Sequence, residues 1–84
     1  MRDQDVTSSA ELRVRLPRLR ATLANARITE RAQLGRRPVQ PDLVSCAKAD
    51  TMDALTAYVE AIESLCWPVP RELRAEINLR RTIR

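Results

Sequence analysis

The chain has 84 residues and a net charge of +4, and it contains neither histidine nor phenylalanine. A chain of this length forms one small domain whose core supplies little net stability, so we expect partners to add to it. No apolar run approaches the length of a membrane span and the amino terminus lacks the pattern of a signal peptide, which predicts a cytoplasmic protein that does not enter a membrane.

The two cysteines, Cys46 and Cys66, are predicted not to pair with each other. If both lie on one straight helix, their separation in the sequence corresponds to about 30 Å, and a disulfide requires Cα atoms within roughly 7 Å. Two cysteines without histidine also argue against a structural zinc site. We expect buried or idle thiols in a reducing compartment, and neither a metal nor a cofactor.

The composition favours an all-α domain. The chain has a single glycine and is rich in Ala, Leu, Arg and Glu, whereas β proteins need glycine turns and β-branched runs. We predict a flexible segment at residues 1–7, followed by one helical domain at residues 8–84. This domain is an antiparallel helical hairpin with a short carboxy-terminal helix, and we expect it to form oligomers.

The first helix is predicted at about residues 8–34. Ser8 and Glu11 have the spacing of a capping box at a helix start. An apolar stripe follows at intervals of three and four residues, formed by Leu12, Leu16, Leu19, Leu23 and Ala26. Pro17 interrupts the helical hydrogen bonding. Because the stripe continues beyond Pro17, a kinked helix is favoured over two helices, of which the second would open with Pro17.

The second helix is predicted at about residues 42–66. Gly35 suits the end of the first helix, and the connector at residues 35–41 is short enough to turn the second helix back antiparallel. The apolar residues of this helix span about 160° of its circumference, which is more than one neighbouring helix can cover. The second helix must therefore contact at least two neighbours.

The third helix is predicted at about residues 70–82. The prolines of the preceding WPVP stretch stop the second helix, and the last of them can open the third. Its apolar stripe is thin and consists of Leu73 and Ile77. Glu76 and Arg80 have the spacing of an ion pair along one helix.

Positive and negative charges are segregated along the chain. Residues 1–41 carry a net charge of +5, residues 42–66 carry −4 and residues 67–84 carry +3. In an antiparallel hairpin, one edge of the first helix can face an acidic edge of the second, as flanking charges do in coiled coils. The residues of these edges are Arg13, Arg20, Arg27 and Arg31 on the first helix, and Asp50, Asp53 and Glu60 on the second.

Arginines outside that edge form a surplus that suggests nucleic-acid binding, because guanidinium groups suit phosphates. The alternative is that they only keep the surface solvated. On the third helix, Arg74, Asn78 and Arg81 fall on one side, and these residue types can contact bases or phosphates. The proline turn before this helix does not match a helix-turn-helix. The predicted nucleic-acid residues are Arg15, Arg18, Arg36, Arg37, Arg74, Asn78 and Arg81.

The wide apolar face of the second helix predicts an interface with another protein. Its predicted residues are Leu55, Tyr58, Val59, Ile62, Leu65 and Trp67, of which Leu55, Val59 and Ile62 are expected to bury against a second copy. Trp67 either closes the end of the core or anchors a binding surface. Glu30, which falls in the leucine stripe, is expected to snorkel or to pair near the helix end; alternatively it fixes the register or receives an arginine from a partner.

Enzymatic activity is the least supported class of function, since no catalytic constellation or phosphate loop is present. We therefore expect no catalytic residues and no small-molecule substrate. Two functions remain. The first is a small basic adaptor that self-associates or docks on a helical partner and contacts DNA or RNA, as adaptors in phage packaging and regulation do. The second is a protein–protein interaction or inhibitor module that does not bind nucleic acid.

Overall fold

The computed structural model describes residues 3–82 of the chain, with side chains from residue 10 onward. This part of the chain is all-helical and contains no strand. It consists of α1 (Asp3–Gly35), α2 (Pro41–Ser64) and α3 (Arg71–Thr82). The predicted all-α class and the order of three helices are confirmed.

Helix α1 begins earlier than the sequence predicts. It starts at Asp3, so Ser8 lies inside it and the expected capping box is not the helix start. Residues 3–7, which we expected to be flexible, are helical, and residues 1 and 2 lie outside the described part. Pro17 lies within the single helix α1. The alternative of two helices divided at Pro17 is therefore wrong, while a kink at this residue stays a prediction.

A proline begins helix α2, and a left-handed residue follows its last turn. Pro41 stands at its amino end, where the fixed φ of proline suits a first helical residue. At its other end, Cys66 has a φ of 60°. The amide of Trp67 donates to the carbonyl of Ile62 at 3.1 Å, and that of Cys66 donates to Glu63 at 2.9 Å. These bonds form a Schellman motif, which ends α2 two residues before the predicted boundary.

The hairpin of α1 and α2 forms the body of the protein, and α3 packs against α2. Helix α2 thus has the two neighbours that its wide apolar arc requires. Residues from all three helices form the core, which consists of Leu23, Ala54, Leu55, Val59 and Ile77. The fully buried Thr51 hydroxyl donates to the carbonyl of Ala47 at 3.0 Å and lies 3.3 Å from that of Ala26, which places α2 close against α1.

Three of the predicted interface residues are interior residues of the single chain. Leu55, Val59 and Ile62 are 0%, 4% and 6% exposed. The prediction that they bury against a second copy is wrong, because α1 and α3 already cover the face of α2 that carries them. Tyr58 and Leu65 are partly buried, and Trp67 is 44% exposed.

None of the helices described here is both long enough and apolar enough to cross a membrane.

Candidate functional site

A network of charged side chains connects α1 to α3. The Arg27 guanidinium of α1 donates two hydrogen bonds to the Glu76 carboxylate of α3, at 2.8 and 2.7 Å. Arg80 donates to Glu76 at 3.0 Å and lies 3.1 Å from an oxygen of Glu30 on α1. The predicted pair of Glu76 and Arg80 is confirmed. Glu30 is paired, and its arginine comes from α3 of the same chain.

The network shifts two pKa values. Hydrogen bonds from Arg27 lower the pKa of Glu76; partial burial opposes this effect, and the hydrogen bond from Arg80 adds to it. Partial burial acts against the charged form of Arg80, but hydrogen bonds to Glu30 and Glu76 outweigh it and raise the pKa of Arg80. Both groups are therefore held in their charged forms, as expected for ion pairs that are partly shielded from water.

The expected pairing of charges between α1 and α2 does not form. Among residues 10–82, every ion pair within 4.0 Å has an arginine or glutamate of α3 as one partner. The prediction fails because α3 provides Glu76 for Arg27, while Asp50, Asp53 and Glu60 are exposed. Apart from Arg27, the residues of the basic edge of α1 are exposed, as are those of the acidic edge of α2.

The basic side of α3 lies beside acidic residues of α2. Arg74 forms an ion pair with Glu63. Asn78 and Arg81 line the same groove, which has a volume of about 210 Å³ and also contains Glu60. Arg74 and Arg81 were predicted to bind nucleic acid, and both lie next to carboxylates of their own chain.

The predicted arginines of α1 and the connector are exposed. Arg15 and Arg18 take part in none of the ion pairs of the described chain. Arg36 is exposed, and Arg37 donates to the carbonyls of Leu34 at 3.2 Å and of Arg36 at 2.9 Å. Arg37 therefore helps to satisfy the free carbonyls at the end of α1.

Two further exposed arginines of α1, Arg20 and Arg31, were not among the predicted nucleic-acid residues. They were assigned to the hairpin edge because the helical wheel places them beside the leucine stripe. In the structure neither one forms an ion pair with another described residue. Their spacing of 11 residues puts them on one side of α1, and this helical periodicity is the signal that could have grouped them.

Trp67 and Arg13 meet at the end of the hairpin. The Arg13 guanidinium carbon lies 6.0 Å from the centroid of the Trp67 ring, which is at the outer range of a cation–π contact. Trp67 lies three residues after Ser64, the last residue of α2, and Arg13 lies on the amino-terminal half of α1. The contact brings the end of α2 to this part of α1, while the ring stays partly open to solvent.

A groove runs between α1 and α2 and has a volume of about 500 Å³. Short side chains form its walls, contributed by α1 (Thr22, Asn25, Ala26, Thr29) and by α2 (Asp50, Asp53, Ala54, Ala57). No residue of α3 lines this groove.

The part of the chain that the structure describes contains no group of three side chains suited to holding a metal ion. Cys46 and Cys66 are both unpaired, as predicted, but they are exposed and not buried. Comparisons of the chain with family models, curated proteins and solved structures found no match.

Proposed function

We propose that the chain is a non-enzymatic basic adaptor that contacts nucleic-acid phosphates and associates with a second protein molecule. The main phosphate contacts are made by Arg20 and Arg31, which lie on one side of α1 and which we call the α1 arginine surface. Asn78 and Arg81 of α3 contribute secondary contacts.

The observation that carries this proposal is the absence of any ion pair between α1 and α2 within residues 10–82. The positive charge of the first half of the chain is therefore not neutralised by the acidic helix beside it. Exposed arginines attract phosphates and release the counterions that surround a duplex, which gives affinity that decreases steeply with salt. Guanidinium groups spaced along a rigid helix suit the phosphates of one backbone.

Helix α3 contributes less than α1 to the phosphate contacts. The Arg74 guanidinium is engaged by Glu63, and Arg81 shares its groove with Glu60 and Glu63. A phosphate at this position meets nearby carboxylates, whose repulsion offsets part of the attraction. We therefore assign the larger part of the binding to α1.

A second candidate function is a protein–protein module without nucleic-acid binding. The acidic residues of α2 favour it, since Asp50, Asp53 and Glu60 are exposed and can meet a basic surface on another polypeptide. In this case the arginines of α1 bind acidic side chains of a partner.

The test is fluorescence anisotropy with a short, labelled duplex of mixed sequence, titrated at salt concentrations from about 50 to about 500 mM. The unmodified chain is compared with an Arg20→Ala, Arg31→Ala variant and with an Arg74→Ala, Arg81→Ala variant. Both variants lose two positive charges, so net charge alone cannot separate them. We expect the α1 variant to bind more weakly, with a log–log salt slope smaller by about 2, because each neutralised phosphate contributes roughly 0.9 to the slope.

Absence of binding at the lowest salt concentration contradicts the nucleic-acid function and favours the protein–protein module. Equal weakening by the two double variants contradicts the assignment to α1 and shows that only the total charge matters. Loss of binding in the α3 variant alone assigns the phosphate contacts to Arg74 and Arg81, as the sequence predicted.

A further inference from the structure

A pair of arginines, Arg15 and Arg18, lies on the same face of α1 as the groove between α1 and α2, toward the amino end of the helix. Arg15 lies seven residues before Thr22 and Arg18 lies four before it, so both project from the helix face that forms the groove wall. The Thr22 hydroxyl donates to the carbonyl of Arg18 at 2.9 Å, so these two residues lie on the same side of α1. The groove face of α1 is therefore basic toward its amino end.

The other wall carries an acidic pair, Asp50 and Asp53. Thr51, between them, lies against the carbonyl of Ala26, so this pair is level with Ala26 of α1. Arg15 and Arg18 precede Ala26 by 11 and 8 residues, which corresponds to roughly 12 to 16 Å along the helix axis. The face of the hairpin that carries the groove thus has a basic part and an acidic part. All four side chains are exposed and outside the ion pairs of the described chain.

We propose that this groove is the docking surface for a second copy of the chain. A two-fold axis near Thr22 and Ala57 sets the Arg15 and Arg18 pair of each copy against the Asp50 and Asp53 pair of the other. Such an isologous contact repeats every attraction twice and closes at a dimer. The inference rests on the self-association part of the proposed function and names its partner.

The side chains of the groove are suited to close approach. Ala26, Ala54 and Ala57 have no atoms beyond Cβ, and the threonines of α1 present methyl groups. Two helix pairs can therefore approach without displacing large side chains, and apolar area is buried between the charged pairs. Helix α3 covers another face of α2 and does not obstruct this one.

The dimer leaves the other side of α1 free. Arg20 and Arg31 project from a side of the helix that is roughly opposite to Arg15 and Arg18. Each copy in the dimer can therefore still present Arg20 and Arg31 to a phosphate backbone. Self-association and nucleic-acid binding can be tested separately for this reason.

The experiment is sedimentation analysis of the full chain and of two charge-reversal variants at low salt. One variant is Asp50→Arg, Asp53→Arg, and the other is Arg15→Asp, Arg18→Asp. We expect the unmodified chain to sediment at twice the 9.6 kDa of one chain, and each variant alone to sediment as a monomer. An equimolar mixture of the variants restores attraction at both contacts, so we expect it to return to the dimer mass.

The control is Glu60→Arg, Glu72→Arg, which makes the same change of net charge as Asp50→Arg, Asp53→Arg at exposed residues outside the groove. We expect this variant to remain dimeric. Circular dichroism melts of all variants verify that they fold, and the recovery on mixing cannot be produced by unfolded chains.

The proposal is overturned if the unmodified chain is a monomer at all concentrations, if the groove variants alone remain dimeric, or if their mixture stays monomeric. A monomeric chain that still binds the duplex contradicts the groove and leaves the phosphate contact intact. A dimer that responds as expected but does not bind the duplex supports the groove and contradicts the phosphate contact.

Discussion

Arg27 and Glu76 are 49 positions apart in the sequence, and two hydrogen bonds of 2.8 and 2.7 Å join them across the fold. No Cα atom of α1 lies within 8 Å of a Cα atom of α3 in the described residues. Long charged side chains therefore bridge the two helices where their backbones do not meet. With Arg80 and Glu30, this pair fixes the side of the hairpin on which α3 lies.

The pairing makes the stability of the fold depend on pH. The folded state lowers the pKa of Glu76 relative to the unfolded chain. Its contribution is therefore complete above the unfolded pKa of about 4.3 and is lost as the pH falls through the lower, folded value. We expect Glu76→Gln to reduce the free energy of unfolding at pH 7 by about 1 to 2 kcal/mol, since hydrogen bonds between charged groups are removed.

Urea unfolding at neutral and acidic pH measures this difference. The loss should shrink on acidification, because the unmodified chain then loses the same interaction. Glu11→Gln is the control, since this carboxylate is exposed and outside the ion pairs of the described residues, and it should change the stability little. A loss in Glu76→Gln that is constant with pH contradicts the role of the charge.

Cys66 holds a backbone conformation that suits glycine. Its φ is 60°, in the left-handed region where a Cβ atom costs about 1 to 2 kcal/mol. Cys66→Gly removes this strain while the Schellman hydrogen bonds at the end of α2 are kept. We expect a gain of about 1 kcal/mol in the free energy of unfolding, smaller than the strain because glycine also gains freedom in the unfolded chain.

The chain contains a matched control for this change. Cys46 is also exposed and unpaired, but it lies within helix α2. Cys46→Gly should destabilise by about 1 kcal/mol, since glycine is unfavourable inside a helix. Thermal melts of the two variants should therefore shift in opposite directions, and a decrease in both would contradict the strain at Cys66.

The helices could be predicted from the sequence because their signals are local. Leu12, Leu16, Leu19 and Leu23 repeat at helical spacing, and all four are buried or partly buried in the structure. Gly35 and Pro41 predicted the end of α1 and the start of α2 to within one residue. The start of α1 was missed because the capping pattern at Ser8 also fits inside a longer helix.

The pairing of charges could not be predicted, because a helical wheel gives the angle of a side chain but not the neighbour that it faces. Arg27 lies at the edge of the leucine stripe, from which either α2 or α3 can be reached. The position of α3 decides between them, and the packing of Leu73 and Ile77 on the core sets that position. The same uncertainty left Arg20 and Arg31 out of the predicted surface.

Ile62 distinguishes the interior of the fold from a dimer surface. It is 6% exposed in the single chain, so Ile62→Glu places a carboxylate in the interior without an arranged partner. We expect this variant to lose its cooperative thermal transition, even when the chain is dilute and monomeric. Leu43→Glu, on an exposed apolar residue of α2, should retain it. A folded Ile62→Glu monomer contradicts the position of Ile62 in the interior.

Pro17 is an exposed residue inside α1, where proline cannot donate the hydrogen bond to the carbonyl of residue 13. Pro17→Ala restores this bond, and we expect the free energy of unfolding to rise by up to about 3 kcal/mol. Ala24→Pro, at another exposed position of the same helix, should lower the stability by at least as much. If α1 instead divided at Pro17, proline would be well placed at the first residue of a new helix. Pro17→Ala would then leave the melting temperature unchanged, and this result would contradict the cost that proline imposes inside the single helix α1.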